Sequence, residues 1–144
     1  MRRERLRAVK SWRGAGGRYD TVFVNTDPGA AGMCGLDVTR MQLFFSFSHG
    51  GVHYPCVLVR WLSRVGYSSD ENTGMWVVEE MDDDGDEYPV TILHLDTIVR
   101  AAHLLPVFGR EYVSPALSFS DTLDSFTRFY VNKYADHHSF EIAF

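Results

Sequence analysis

Apolar residues recur at every second position over several stretches of this chain, the pattern of strands that turn one face to a core. Residues 36–48 show it most fully. Met41, Leu43, Phe45 and Phe47 fall on one face, while Leu36 and Val38 begin the other, which turns polar at Arg40 and Gln42. This predicts a long strand with one strongly buried face. His49-Gly50-Gly51 is a turn signal, and residues 54–62 form the returning strand, with Val57, Val59 and Trp61 alternating with Cys56, Leu58 and Arg60. A shorter β-type run over 21–24 is closed by Asn25 and Asp27-Pro28-Gly29. Residues 63–73 are polar and read as a loop. Further strands are predicted over 74–81, 88–95 (Pro89 tolerated at its start), 101–105, 129–131 and 139–144. The last of these rests on Phe140, Ile142 and Phe144 at period two.

Helical signals are few. Leu6, Val9 and Trp12 lie at three-residue steps and predict a short basic helix over 1–13, stopped by a flexible joint at Gly14, Gly16 and Gly17. Asp96 is the expected N-cap of a single helical turn, and Ser120 or Asp121 that of a short helix through Ser125. The expected fold class is therefore mainly β: a small antiparallel sheet or partly open barrel with one or two short helices. Residues 1–18 form a basic N-terminal arm or helix with its Gly-rich joint, and 19–144 a single β-rich domain.

Composition narrows the class. At 144 residues, 45% hydrophobic and 14% aromatic, the chain is one ordinary domain with enough apolar surface for a core, which excludes a disordered chain. No apolar run reaches the ~18 residues of a membrane helix. No secretory signal pattern opens the sequence, and two cysteines are too few for a disulfide scaffold, so an intracellular location, nucleus or cytoplasm, is expected. The net charge of −5 conceals an asymmetry. Residues 1–18 carry seven basic side chains and one acid, a net of +6, and the rest of the chain carries seven basic and eighteen acidic ones, a net of −11. An acidic body repels phosphate backbones, so DNA contact is expected only from the arm, through Arg2, Arg3, Arg5, Arg7, Lys10 and Arg13.

Candidate chemistry is sparse. Glu80, Asp82, Asp84 and Gly85 mimic the opening of a calcium loop, but position 12 is Thr91 where a bidentate Glu is needed. An acidic hairpin tip is expected instead. Cys34, His49, His53 and Cys56 have no paired-cysteine spacing for zinc. Asp136-His137-His138-Ser139 contains acid–base residue types, yet sequence neighbours seldom face one another, and Asp136 is expected to form a turn. His94 and His103, set in apolar stretches, read as core or edge residues. No nucleophile-elbow, phosphate-loop or metalloprotease motif occurs. No catalytic residue, metal or cofactor is therefore expected, and the chain reads as non-enzymatic. Trp61, Trp76 and Tyr88, near the acidic run, suggest an alternative: a chromatin-reader-like barrel whose aromatic cage takes a cationic peptide. An enzyme or metal-binding domain of another type is the remaining alternative.

Several strings together resemble a known family. They are Ser11-Trp12-Arg13-Gly14, Arg18-Tyr19-Asp20-Thr21-Val22-Phe23-Val24-Asn25-Thr26, Leu43-Phe44-Phe45-Ser46-Phe47 and Tyr54-Pro55-Cys56-Val57-Leu58-Val59-Arg60-Trp61. Thr73-Gly74-Met75-Trp76-Val77-Val78, the run from Ile92 to Ile98, the run from Arg100 to Gly109 and the run from Phe129 to His138 continue the match. From about residue 11 onward the chain resembles the C-terminal segment that follows the transposase region in fungal CACTA-like, Plavaka-type elements. The resemblance implies a transposon origin, a nuclear context and an accessory role beside DNA, chromatin or a transposase. It carries no catalytic residues, because the transposase carboxylates belong to the upstream region.

Overall fold

A computed structural model of the chain describes residues 4–10, 17–80, 90–108 and 126–144. Their order is β1 (Ala8–Val9), β2 (Arg18–Tyr19), β3 (Thr21–Asn25), β4 (Leu36–His49), β5 (Val52–Val65), β6 (Val77–Glu80), β7 (Val90–His94), β8 (Ile98–Ala101), β9 (Leu104–Pro106), β10 (Arg128–Val131) and helix α1 (His137–Ile142). The protein is mainly β, one curled antiparallel sheet in a half-barrel with a small two-stranded sheet beside it.

The strands of the main sheet follow the path β8-β3-β4-β5-β6-β10-β9. β8 and β9 stand at opposite ends of that path yet are separated by only Ala102 and His103. Ala102 donates its N–H to the Thr21 carbonyl, at 2.8 Å, and accepts the Thr21 hydroxyl; the next carbonyl, His103, accepts from the N–H of Asn132. Two consecutive residues thus tie β3 to the end of β10 and link the two ends of the half-barrel at this seam.

Two apolar clusters flank the curled wall. Phe23, Val38, Leu62, Trp76, Val78, Phe129 and Val131 fill the concave side. Val22, Val24, Met41, Val57 and Val59 form a second cluster on the outer side, covered by Leu6, Ala8, Trp61, Leu93 and Ile98. β3 supplies both clusters, which is why its Thr21-Val22-Phe23-Val24 is buried throughout.

The β4–β5 turn forms as its sequence dictates. Gly50 and Gly51 take φ of 58° and 78°, the left-handed pair that a two-residue hairpin loop demands.

Four sequence expectations are corrected. The described part of the N-terminal segment is no helix: β1 pairs antiparallel with β2, Ala8 opposite Tyr19. Alternation wins there, since Leu6 and Ala8 pack on the outer cluster, and pairing with β2 overrides a marginal three-residue stripe. Residues 139–144 are not a strand either. Asp136 caps α1 by accepting the Ser139 N–H at 2.8 Å, and the buried Ser139 and Ala143 with the half-buried Ile142 follow helical spacing. The cap of the turn over Leu95–Thr97 is His94 instead of Asp96; its Nδ1 accepts the Asp96 N–H. Lastly, the predicted strand over 101–105 is two, β8 and β9, broken at the seam. The expected helix near Ser120, Asp121 and Ser125 and the acidic turn over 82–87 lie outside the described residues.

Candidate functional site

β4 and β5 are each 14 residues long, whereas β3 is five. β3 pairs only with Leu36 to Arg40 of β4, so residues 43–49 run on without it. The far edge of β5 is divided. β6 pairs with Leu62 to Val65 and β7 with Cys56 to Arg60, so the chain leaves the ladder at Glu80 and rejoins it at Val90 with only Trp61 between. The outcome is a three-stranded blade, distal β4, distal β5 and β7, projecting from the barrel.

A β-bulge between Met41 and Leu43 sets which side chains face which way. Met41 lies opposite Val59 and joins the outer cluster, but Leu43 lies opposite Leu58, on the other face. The alternation therefore does not run unbroken through Met41, Leu43, Phe45 and Phe47, and the expectation of one strongly buried face is corrected. Beyond the bulge, Leu43, Phe45 and Phe47 extend the concave face of the barrel together with Tyr54, Leu58 and, from β7, Ile92. Leu43 is 53% exposed and Ile92 59%, with Phe47, Val52 and Val90 at about half. Phe47 stacks on Tyr54 with ring centroids 5.2 Å apart.

Two arginines stand at the blade's root. Arg40 and Arg60 are cross-strand partners, and Arg40 donates from Nε to the Tyr19 carbonyl at 3.3 Å while its guanidinium lies 5.8 Å from the Tyr19 ring centre. Trp61 fastens β7 from the other face, its indole N–H donating to Thr91 Oγ1 at 2.8 Å. Pro55, which has no N–H to donate, lies one residue past the β7 ladder and ends it.

The residues singled out from sequence do not converge. Of the basic arm, Arg5 and Lys10 are exposed, while the Arg7 N–H is held by Asp20 at 2.9 Å. Arg2, Arg3 and Arg13 lie outside the described residues. Trp76 is 6% exposed in the concave cluster and Trp61 packs on the outer one, so the two do not wall one cage. Tyr88 lies outside the described residues. Cys34 sits exposed in a 3-10 turn, His49 and His53 are at the blade tip, and Cys56 is buried in β5. Among the described residues no three His, Cys, Asp or Glu side chains group as metal ligands.

Several histidines and carboxylates have structural partners. His103 Nδ1 pairs with the Asn132 amide at 3.0 Å, His137 with Glu141 at 2.9 Å, and Arg128 with Glu79 at 2.9 Å. The Arg100 guanidinium and the Ser139 N–H hold the Asp136 carboxyl far below the usual carboxylate range. The Asp70 carboxyl is lowered by the Thr73 hydroxyl and then its N–H, closing the loop before β6. An open cleft of about 280 Å³ beside Leu36 and Phe144 has, among the described residues, Glu141 as its ionisable lining side chain and no nucleophile–base pair.

Sequence reading did not find the blade, because exposed and buried strand faces share one alternating pattern. No helix among the described residues is long and apolar enough to cross a membrane. Comparison with protein-family models, curated proteins and solved structures finds no match to this chain.

Proposed function

We propose that this protein is a non-enzymatic interaction module that docks a protein partner on the apolar face of its β4–β5–β7 blade. One observation carries the reading: a continuous run of half-exposed Leu, Phe, Val and Ile side chains on a sheet that outreaches its own core. Folded monomers rarely expose contiguous apolar patches of more than a few hundred Å², and larger ones mark contact sites. The resemblance to Plavaka-type segments supports placing the module as an accessory of transposon origin. Its arm, with Arg5 and Lys10 exposed, contributes at most a secondary contact with DNA.

The test is photo-crosslinking from the blade. A benzophenone side chain at Phe47, on the apolar face, is expected to capture protein, whereas the same group at Ser46, on the opposite face, is not. Equal capture from both positions, or none from Phe47, rejects the reading.

A further inference from the structure

We infer that the occupant of the blade face is a second copy of this chain, stacked face to face across a two-fold axis. The inference rests on reading the blade as a contact surface and names what covers it.

Three properties of the face support this. The first is self-complementarity. Leu43, Phe47, Val52, Val90 and Ile92 are all apolar, and Asp96, whose carboxylate lies 3.3 Å from His94, stands only at the edge of their face. A two-fold contact sets the same patch against itself, and here that buries apolar groups against apolar groups.

The second is charge placement. The cations of this face sit at its root, at Arg40 and Arg60, while the tip is His49-Gly50-Gly51. A two-fold axis perpendicular to the strands lays the root of one copy against the tip of the other. The arginines of the two copies are then kept apart, and packed sheets take up such a stack at about 10 Å separation.

The third is area. Five side chains about half exposed present on the order of 500 Å², so two copies bury roughly 1,000 Å², the lower bound for a specific interface. A single small peptide would leave much of this face wet.

Sedimentation across a micromolar concentration series tests the inference. A monomer–dimer equilibrium is expected, undiminished in high salt because its contacts are apolar. Leu43→Asp and, on a different strand, Ile92→Asp should each weaken association about a hundredfold by placing a carboxylate in the dry stack. Ser46→Asp, on the opposite face of β4, should leave it unchanged. Both substituted positions are exposed, and an unaltered circular dichroism spectrum and melting temperature show that the fold is kept. A wild-type chain that stays monomeric, or a dimer indifferent to both aspartates, overturns the inference. Crosslinking from Phe47 separates the two readings: a product of twice the chain mass supports the dimer, and a product only with a different protein overturns it while leaving the contact surface standing. No product overturns both.

Discussion

Arg100 on β8 and Asp136 at the head of α1 meet through two hydrogen bonds, Nη1 to Oδ1 at 2.9 Å and Nη2 to Oδ2 at 2.7 Å. Nη2 of Arg100 also reaches Glu4 at 3.4 Å, and the Ala101 N–H donates to the same Glu4 carboxylate. One guanidinium thus joins the N-terminal segment, the strand at the seam and the last helix. The Asp136 carboxyl is depressed first by Arg100 and then by the Ser139 N–H, so the folded state holds its proton less tightly than the unfolded chain does. Its stabilising contribution is therefore fully present above the ordinary carboxylate value, near pH 4, and is lost as pH falls below it. Asp136→Asn retains a capping oxygen but no charge for Arg100. Melting curves from pH 7 to pH 3 should show the variant less stable at pH 7 and the gap narrowing in acid. Parallel curves would refute this assignment.

Gly32 is fixed by both its backbone and its surroundings. Its φ is +58°, and a Cβ there would collide with the backbone oxygen and ring of Phe144. Its neighbour Met33 donates its N–H to that same oxygen at 2.8 Å. Gly32→Ala should therefore cost about 2 kcal/mol or more in urea unfolding, and a neutral result would contradict the close approach.

Thr39 points the opposite way energetically. It is fully buried between Val22 and Trp61 in the ladder, and its hydroxyl has no hydrogen-bond partner among the described residues. Thr39→Val keeps the shape and removes an unsatisfied group, so a gain of about 1 kcal/mol is expected. A loss of stability would mean that the hydroxyl is satisfied after all.

Phe129 and Phe47 separate core from blade. Phe129 is 1% exposed in the concave cluster, and Phe47 is half exposed. Phe129→Ala should cost about 3–5 kcal/mol, and Phe47→Ala within about 1 kcal/mol, chiefly its stack on Tyr54. Comparable losses at low protein concentration would show the blade to be part of the core.

Much of the strand pattern was legible because runs of β-branched and aromatic residues between turn signals mark β3, β4, β5 and β10. Three features were not. Alternation carries no count of residues in register, so the bulge at Met41 and Leu43 was hidden, and with it the change of face. The ending Phe140, Ile142 and Phe144 alternates, but Asp136 is held by Arg100, a partner 36 residues away, and that tertiary contact favours the capped helix. The blade was missed for a third reason: a strand's length shows in sequence, but how far its partners follow it does not. Of the proposed site residues, Trp61 and Trp76 were recognised as strand aromatics, which left open that they fall in different clusters.

The seam at Ala102 and His103 has a consequence for how the chain comes together during synthesis. The β4–β5 hairpin is complete once residue 65 has left the ribosome, but the ends of the half-barrel cannot be tied until Asn132 has emerged to meet His103. For the intervening interval the nascent chain holds a long apolar hairpin with one wall of its barrel missing. That is the period in which the protein is most open to mispairing with a neighbour, and in which a chaperone would matter most.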